Sequence, residues 1–378
     1  MEWMNLGDLI SIKKGKKLLE VDEPTENSIR YIQIEDLRDD NNLKYTEDDK
    51  AVLADSDDIL IAWDGANAGT IGFGISGAIG STIAKLSIKK SFRKKFTYEF
   101  LGYFLKSKNN YLVTTSTGAT IPHISRNTLI KIKVPIIDLE EQEKLIGILK
   151  NLENLIQTRK DQIQALDDLV DSVLNNLIEK YINNQIDIEK ILVEIISGKS
   201  LAGEESSSYK VLKTSCLYSG YFNDNEWKNL PIDYTPNDDH FIKKDDILVS
   251  RMNTEELVGA NAYVWKDYDN LTVPDRIWRL ITNSKIDNIY LWKFLQTQIY
   301  RSQISKISTG TSGSMKNISQ KNFSSIKIVL PPLDQQNKFA SLVEKIEDQK
   351  EILNNSLIQL TNLFDCLMQD AFDGSLIK

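Results

Sequence analysis

Few side chains in this chain are suited to covalent or metal chemistry. Its 378 residues include two histidines, His123 and His240, and two cysteines, Cys216 and Cys366. A structural zinc site takes four close Cys, His or carboxylate ligands, and no CxxC spacing occurs. A hydrolytic nucleophile needs a base beside it, and both histidines stand in polar stretches without a matched Ser or Cys. Asp275 could open a metal-nuclease motif, but no Glu-x-Lys follows it at useful distance. Pro331 and Pro332 lead into Leu-Asp and not into the aromatic residue of an adenine methyltransferase motif. Glycines cluster between Gly65 and Gly80 without the GxxxxGK[ST] of a phosphate loop. What remains is the chemistry of non-covalent reading. Arg, Lys, Asn, Ser and Thr can hydrogen-bond base edges in a nucleic-acid groove, and Lys and Arg also neutralise phosphates.

Such residues gather in two pairs of loops. Trp63, Asp64 and Asn67 follow the apolar run Ile59–Ala62, and Ser250, Arg251, Asn253 and Thr254 end or follow Ile247–Ser250. Thr117, Thr120, His123, Ser125 and Arg126 form a second loop, matched by Thr311, Ser314, Lys316, Asn317 and Lys321. Lys85, Arg276 and Arg279 add charge nearby. Net charge is −8, which argues against a nucleic-acid partner, but distribution matters more than the sum. Between Lys85 and Lys133 there are eleven basic residues and one acid, Glu99. Between Arg276 and Lys327 there are nine basic residues and one acid, Asp287.

The loops correspond because the chain repeats itself. From Ile124 to Gln142 every residue pairs with the one 194 positions later, up to Gln336. Upstream, Asp57-Asp-Ile-Leu60 returns as Asp245-Asp-Ile-Leu248 at an offset of 188. Phe100–Leu105 returns as Tyr290–Leu295, and Ile12-Lys-Lys-Gly15 rhymes with Ile195-Ile-Ser-Gly198. A period near half the chain is too long for a solenoid unit of roughly 20–50 residues. It is a duplicated pair with approximate two-fold symmetry, and its residues differ most in the loops, where recognition concentrates.

Each copy then runs into a helix with a heptad seam. The first carries Leu149, Leu152, Ile156, Ile163 and Leu166, broken at Arg159; the second carries Ile346, Leu353, Leu357 and Leu360, broken at Lys350. About 40 residues at ~1.5 Å rise reach about 60 Å, and two such helices should pack antiparallel. Asp138 and Pro332 mark the helix starts and Asn183–Asp187 the exit of the first. Short β-like runs occur at Tyr31–Ile34, Ile59–Trp63, Ile130–Val134, Ile247–Ser250 and Ile326–Leu330. Phe96–Lys106 and Ile289–Ile304 read as helices. The fold class is therefore mixed α/β (α+β): two similar globular domains joined by two long antiparallel coiled-coil helices with an internal pseudo-two-fold. The expected boundaries are 1–138, first domain; 139–183, first helix; 184–332, second domain; and 333–378, second helix. An apolar content of 41% is ordinary for a soluble protein, and no run approaches 18 apolar residues. The amino terminus lacks a secretory signature, and two thiols suit a reducing cytoplasm.

Three stretches carry a resemblance to a known family. They are Asp57–Gly72, Thr117–Ser125 and Val134–Ile146, echoed more loosely at Met315–Ser319 and Leu330–Gln336. In these residues, and in the order domain, helix, domain, helix, the whole chain resembles the specificity (S) subunit of Type I restriction–modification systems, the HsdS family. The resemblance implies a non-catalytic DNA-binding adaptor. Its two target-recognition domains would each read one half of a split, asymmetric site on double-stranded DNA. Two methyltransferase (M) subunits and restriction (R) subunits would assemble on it; S-adenosylmethionine and ATP would bind those partners, and this chain no cofactor or metal. Two other readings stay open on the residues alone: a coiled-coil scaffold that does not touch DNA, and an S-like region of a fused restriction–modification enzyme.

Overall fold

The structure is a computed structural model that describes residues 2–21, 23–116, 122–310 and 315–373. It divides into two compact units, Met1–Asp161 with Asn354–Lys378, and Gln162–Leu353.

In the first unit the Asp-Asp-Ile-Leu motif feeds the inner strand Ile59–Ala62 of an antiparallel sheet ordered Ile10–Lys14, Ile83–Ile88, Ile59–Ala62, Ile71–Phe73. The run is apolar at every position because both faces are covered. Ile59 and Ile61 face a core with Phe100, Leu101 and Phe104, while Leu60 and Ala62 face Ile32, Val52 and Ile79. The second unit repeats this order with Leu192–Ile196, Ile277–Thr282, Ile247–Ser250 and Asn261–Tyr263. A smaller sheet lies beside each, containing one parallel pair: Ile29–Ile32 with Gly77–Ile79, and Lys210–Leu212 with Leu271–Thr272.

The long helices span Leu139–Lys180 and Leu333–Asp373. The first starts where the Asp138 carboxylate accepts the Glu141 N–H at 2.8 Å, satisfying one orphan donor of the first turn. The second starts where the Pro332 carbonyl accepts the N–H groups of Gln335 and Gln336. All nine seam residues are buried or half-buried. Each unit contains one half of each helix, and in each the halves run antiparallel. In the first, Arg159 donates to the Ser356 hydroxyl at 3.2 Å while Ile146 and Leu149 share a core with Met368, Ala371 and Phe372. In the second, Lys350 meets Asp167 at 2.6 Å while Val173 and Leu177 line one groove with Phe339 and Leu342.

Two local expectations need correcting. Ile130–Val134 is not one strand: Ser125 caps a helix Arg126–Ile130 by accepting the Thr128 N–H, so the strand begins later, at Lys133–Ile136. Ile289–Ile304 is not one helix either. It is Asn288–Phe294 and Gln298–Ile307, the second capped by Thr297. In each place a hydroxyl that accepts a backbone N–H starts a helix, at Arg126 and at Gln298. Among the described residues no helix is long and apolar enough to cross a membrane.

Candidate nucleic-acid interface

In the first unit the strand Ile59–Ala62 ends in a loop that is laced to the segment after residue 121. Ile124 N–H donates to the Trp63 carbonyl at 2.9 Å, and Gly65 N–H to the Pro122 carbonyl at 3.0 Å. Asp64 and His123 form an isolated antiparallel bridge. Their side chains also bond: His123 Nδ1 to Asp64 Oδ1, and Trp63 Nε1 to His123 Nε2 at 3.3 Å. The indole N–H can only donate, so Nε2 accepts and the proton of the neutral imidazole sits on Nδ1, facing Asp64. Lys14 Nζ closes the group at 2.6 Å from Asp64 Oδ2. Partial burial pushes the Asp64 carboxyl up, but bonds from Lys14 and His123 outweigh it and hold the group below the usual carboxylate range. Lys14 is a member that sequence reading missed; its only signal was its place in the rhyming opening Ile12–Gly15. Asn67 is exposed and accepts from Arg38 at 2.7 Å, and Arg126 is exposed on the helix that Ser125 caps. Thr117 and Thr120 lie outside the described residues.

The second unit builds the same lacing from different residues. Met252 and Asn317 occupy the places of Asp64 and His123, in a two-residue antiparallel ladder Met252–Asn253 with Lys316–Asn317. Ile318 N–H donates to the Arg251 carbonyl at 2.9 Å, as Ile124 does to Trp63. Asn253 is buried, donating to Tyr218 at 3.3 Å and accepting the Thr254 N–H at 2.9 Å. Ser250 is fully buried, Thr254, Arg276 and Lys321 are exposed, and Lys316 approaches Glu255 at 3.8 Å. Thr311 and Ser314 lie outside the described residues.

Two of the basic candidates are committed inside the fold. Lys85 pairs with the buried Asp58 at 2.7 Å, and Arg279 with the buried Asp246 at 2.5 Å. Each aspartate also accepts a backbone N–H three residues earlier, from Asp55 and Lys243. The second Asp of the Asp-Asp-Ile-Leu motif is thus a strand anchor, and its basic partner has little charge to offer a phosphate. Burial pushes the Asp58 carboxyl up, but bonds from Lys85, Ser87 and the Asp55 N–H hold it below the ordinary range.

A second pair of equivalent residues ties each long helix to the backbone just before Tyr98–Ser107 or Asn288–Phe294. Gln142 is fully buried; it accepts the Thr97 N–H at 3.0 Å and donates to the carbonyls of Lys95 at 2.7 Å and Ile137 at 3.0 Å. Gln336, 194 residues on, does the same for Asp287 N–H, Lys285 and Pro331 at 2.9, 3.3 and 2.8 Å. Glu153 accepts from Tyr103 and Lys106, and its counterpart Glu347 from Tyr221, with Lys293 at 4.0 Å. The seam-breaking Lys350 joins that second cluster, bonded to Asp167 and to Tyr221 at 2.7 Å. Burial alone would lower Lys350, but these bonds drive its affinity for the proton up. Among the described residues no three His, Cys, Asp or Glu side chains are grouped to hold a metal.

Comparison with known proteins bears on what such paired loops do. The profile of the Type I restriction modification DNA specificity domain matches residues 1–167 and again 190–362. The MjaVIII Type I restriction enzyme specificity subunit of Methanocaldococcus jannaschii is 29% identical over 99% of this chain and 92% of its own length. The EcoKI specificity subunit of Escherichia coli K12 is 28% identical over 73% of this chain and 65% of its own. Among solved structures, the S subunit of the Type I restriction–modification system of M. genitalium superposes with a TM-score of 0.63 at 18% identity, covering 98% and 96% of the two chains. A chain from a study of complex assembly and conformational transition in the type I R-M system gives 0.57 at 17% identity, covering 99% and 98%.

Proposed function

Because this chain belongs to the Type I restriction–modification DNA specificity family, we propose that it reads a bipartite, asymmetric DNA site and scaffolds the enzyme subunits that act there. Residues 1–138 and 184–332 serve as recognition domains, and 139–183 and 333–378 as spacer helices. Each domain delivers its strand-end loop and the segment laced to it into a groove of the duplex. Two methyltransferase subunits, holding S-adenosylmethionine, and ATP-dependent restriction subunits dock on the assembly in the cytoplasm. The chain itself contributes no catalytic group. The observation that carries this reading is the pairing of one scaffold with two sets of tips. The strand order, the buried glutamine and the lacing repeat, while Trp63, Asp64 and His123 give way to Arg251, Met252 and Asn317.

Equal scaffolds with unequal tips suit two half-sites of different sequence. Selection from random duplexes by the chain bound to its methyltransferase subunits tests this. The expected product is two short blocks with a fixed gap, and binding that falls steeply with salt as phosphate contacts are lost. Recovery of unenriched sequence by an active methyltransferase would overturn it.

A further inference from the structure

The two strand ends differ in one physical respect. In the first unit Trp63 and His123 complete each other, and Asp64 and Lys14 close the network. In the second, Arg251 stands 188 residues after Trp63 and Asn317 stands 194 after His123, the offsets of the surrounding repeat. Arg251 makes no side-chain hydrogen bond or ion pair to the described residues, and its buried Nε is unpartnered. Asn317 Oδ1 and the indole N–H of Trp278 are buried and unpartnered as well. The guanidinium is held 5.8 Å above the Trp278 ring, an indole that is itself 1% exposed. A buried polar atom without a partner is destabilising, so the unpartnered Nε marks a guanidinium that the free fold leaves uncommitted. The indole face attracts the guanidinium charge, and Glu255 and Asp275 bond instead to Lys316 and Ser200.

We infer that Arg251 is the specificity-determining residue of the second half-site and reads the guanine of a G·C pair in the major groove. The inference rests on the proposed DNA-reading function and adds the base and the residue to it. A planar fork of N–H donors matches the O6 and N7 acceptors of guanine. The first unit offers no such fork at this place, because Trp63 donates to its own histidine. A guanine read here therefore belongs to the half-site of the second domain.

The test uses the chain assembled with its methyltransferase subunits. Once the methylated motif is known, each guanine of both blocks is replaced in turn by 7-deazaguanine, which lacks N7. One position in the block of the second domain should lose about 10- to 100-fold in binding. Arg251→Ala should relax that position alone, abolish the 7-deazaguanine effect there and leave the other block unchanged. The inference is overturned if no guanine of that block responds, if that block contains no G·C pair, or if Arg251→Ala weakens all sequences equally. Absence of any bipartite motif would instead sink the underlying function, so the two failures are distinct. Should Arg251→Ala not assemble, the 7-deazaguanine series on the unaltered complex still decides.

Discussion

Replacing Gln142 by leucine keeps the volume of a buried side chain and deletes its amide. Three bonds disappear, those to Thr97 N–H, Lys95 C=O and Ile137 C=O, at 3.0, 2.7 and 3.0 Å. All three backbone groups lie where the helix Tyr98–Ser107 meets the start of Leu139–Lys180, and the glutamine is 0% exposed, so water does not replace the partner cheaply. Each stranded group costs about 1–3 kcal/mol, offset in part by the apolar surface the leucine adds, which leaves about 3–5 kcal/mol. At ~2–4 °C per kcal/mol for a unit of this size, the midpoint of thermal unfolding should fall by roughly 10 °C. Gln336→Leu should give a comparable or slightly smaller loss, because one of its bonds is longer at 3.3 Å. The exposed Gln164→Leu on the same helix should stay within about 0.5 kcal/mol. Scanning calorimetry measures the midpoints, and hydrogen exchange of the Thr97 amide reports the site itself. A shift equal to that of Gln164→Leu, or a Thr97 amide as protected as before, would refute the clamp.

Other outcomes follow from the same contacts. The Asp58 carboxyl is lowered in the folded state, so its contribution is present above the ordinary carboxylate range and is lost as pH falls through the folded value; Asp58→Asn should flatten the acid limb of a stability–pH curve, and an unchanged limb would count against it. Exchanging residues 1–138 for the matching domain of a relative should alter one block of the methylated motif by sequencing, and a change in both blocks would defeat modular reading. A heptad inserted after Asp161 together with one after Asn354 keeps Lys350 with Asp167 and Arg159 with Ser356. It lengthens the helix pair by about 10 Å, or roughly three base pairs of duplex. The gap in the motif should widen accordingly; an unchanged gap in an active protein would refute the spacer.

What could be read from the sequence was what repeats at a fixed period. The seam from Leu149 to Leu166 and from Ile346 to Leu360 is local, and so is the run Ile247–Ser250. The offset of 194 located Gln142 and Gln336, but nothing local says that an amide in an acidic, polar helix start is fully buried. Lys85 and Arg279 looked like phosphate binders because their partners, Asp58 and Asp246, are 27 and 33 residues away and meet them only across a sheet. Lys14 escaped for the same reason, being 50 residues from Asp64. Both misread segments are cut by a helix that a single hydroxyl starts, Ser125 for Arg126–Ile130 and Thr297 for Gln298–Ile307, against the apolar pattern around it.

The sharing of each long helix between both units has a consequence for the order of events at the ribosome. The core of the first unit holds Phe100 and Phe104 against Phe372, at 5.5 and 5.7 Å between ring centres. The domain translated first is therefore finished last: its aromatic core stays open until residue 372 has been made and has left the exit tunnel. The second unit lies wholly within residues 162–353 and has no such end-to-end closure to wait for. Synthesis proceeds from one end to the other, but folding should run from the inside of the chain outward. The nascent first domain is then the segment that most needs shelter from aggregation while it waits.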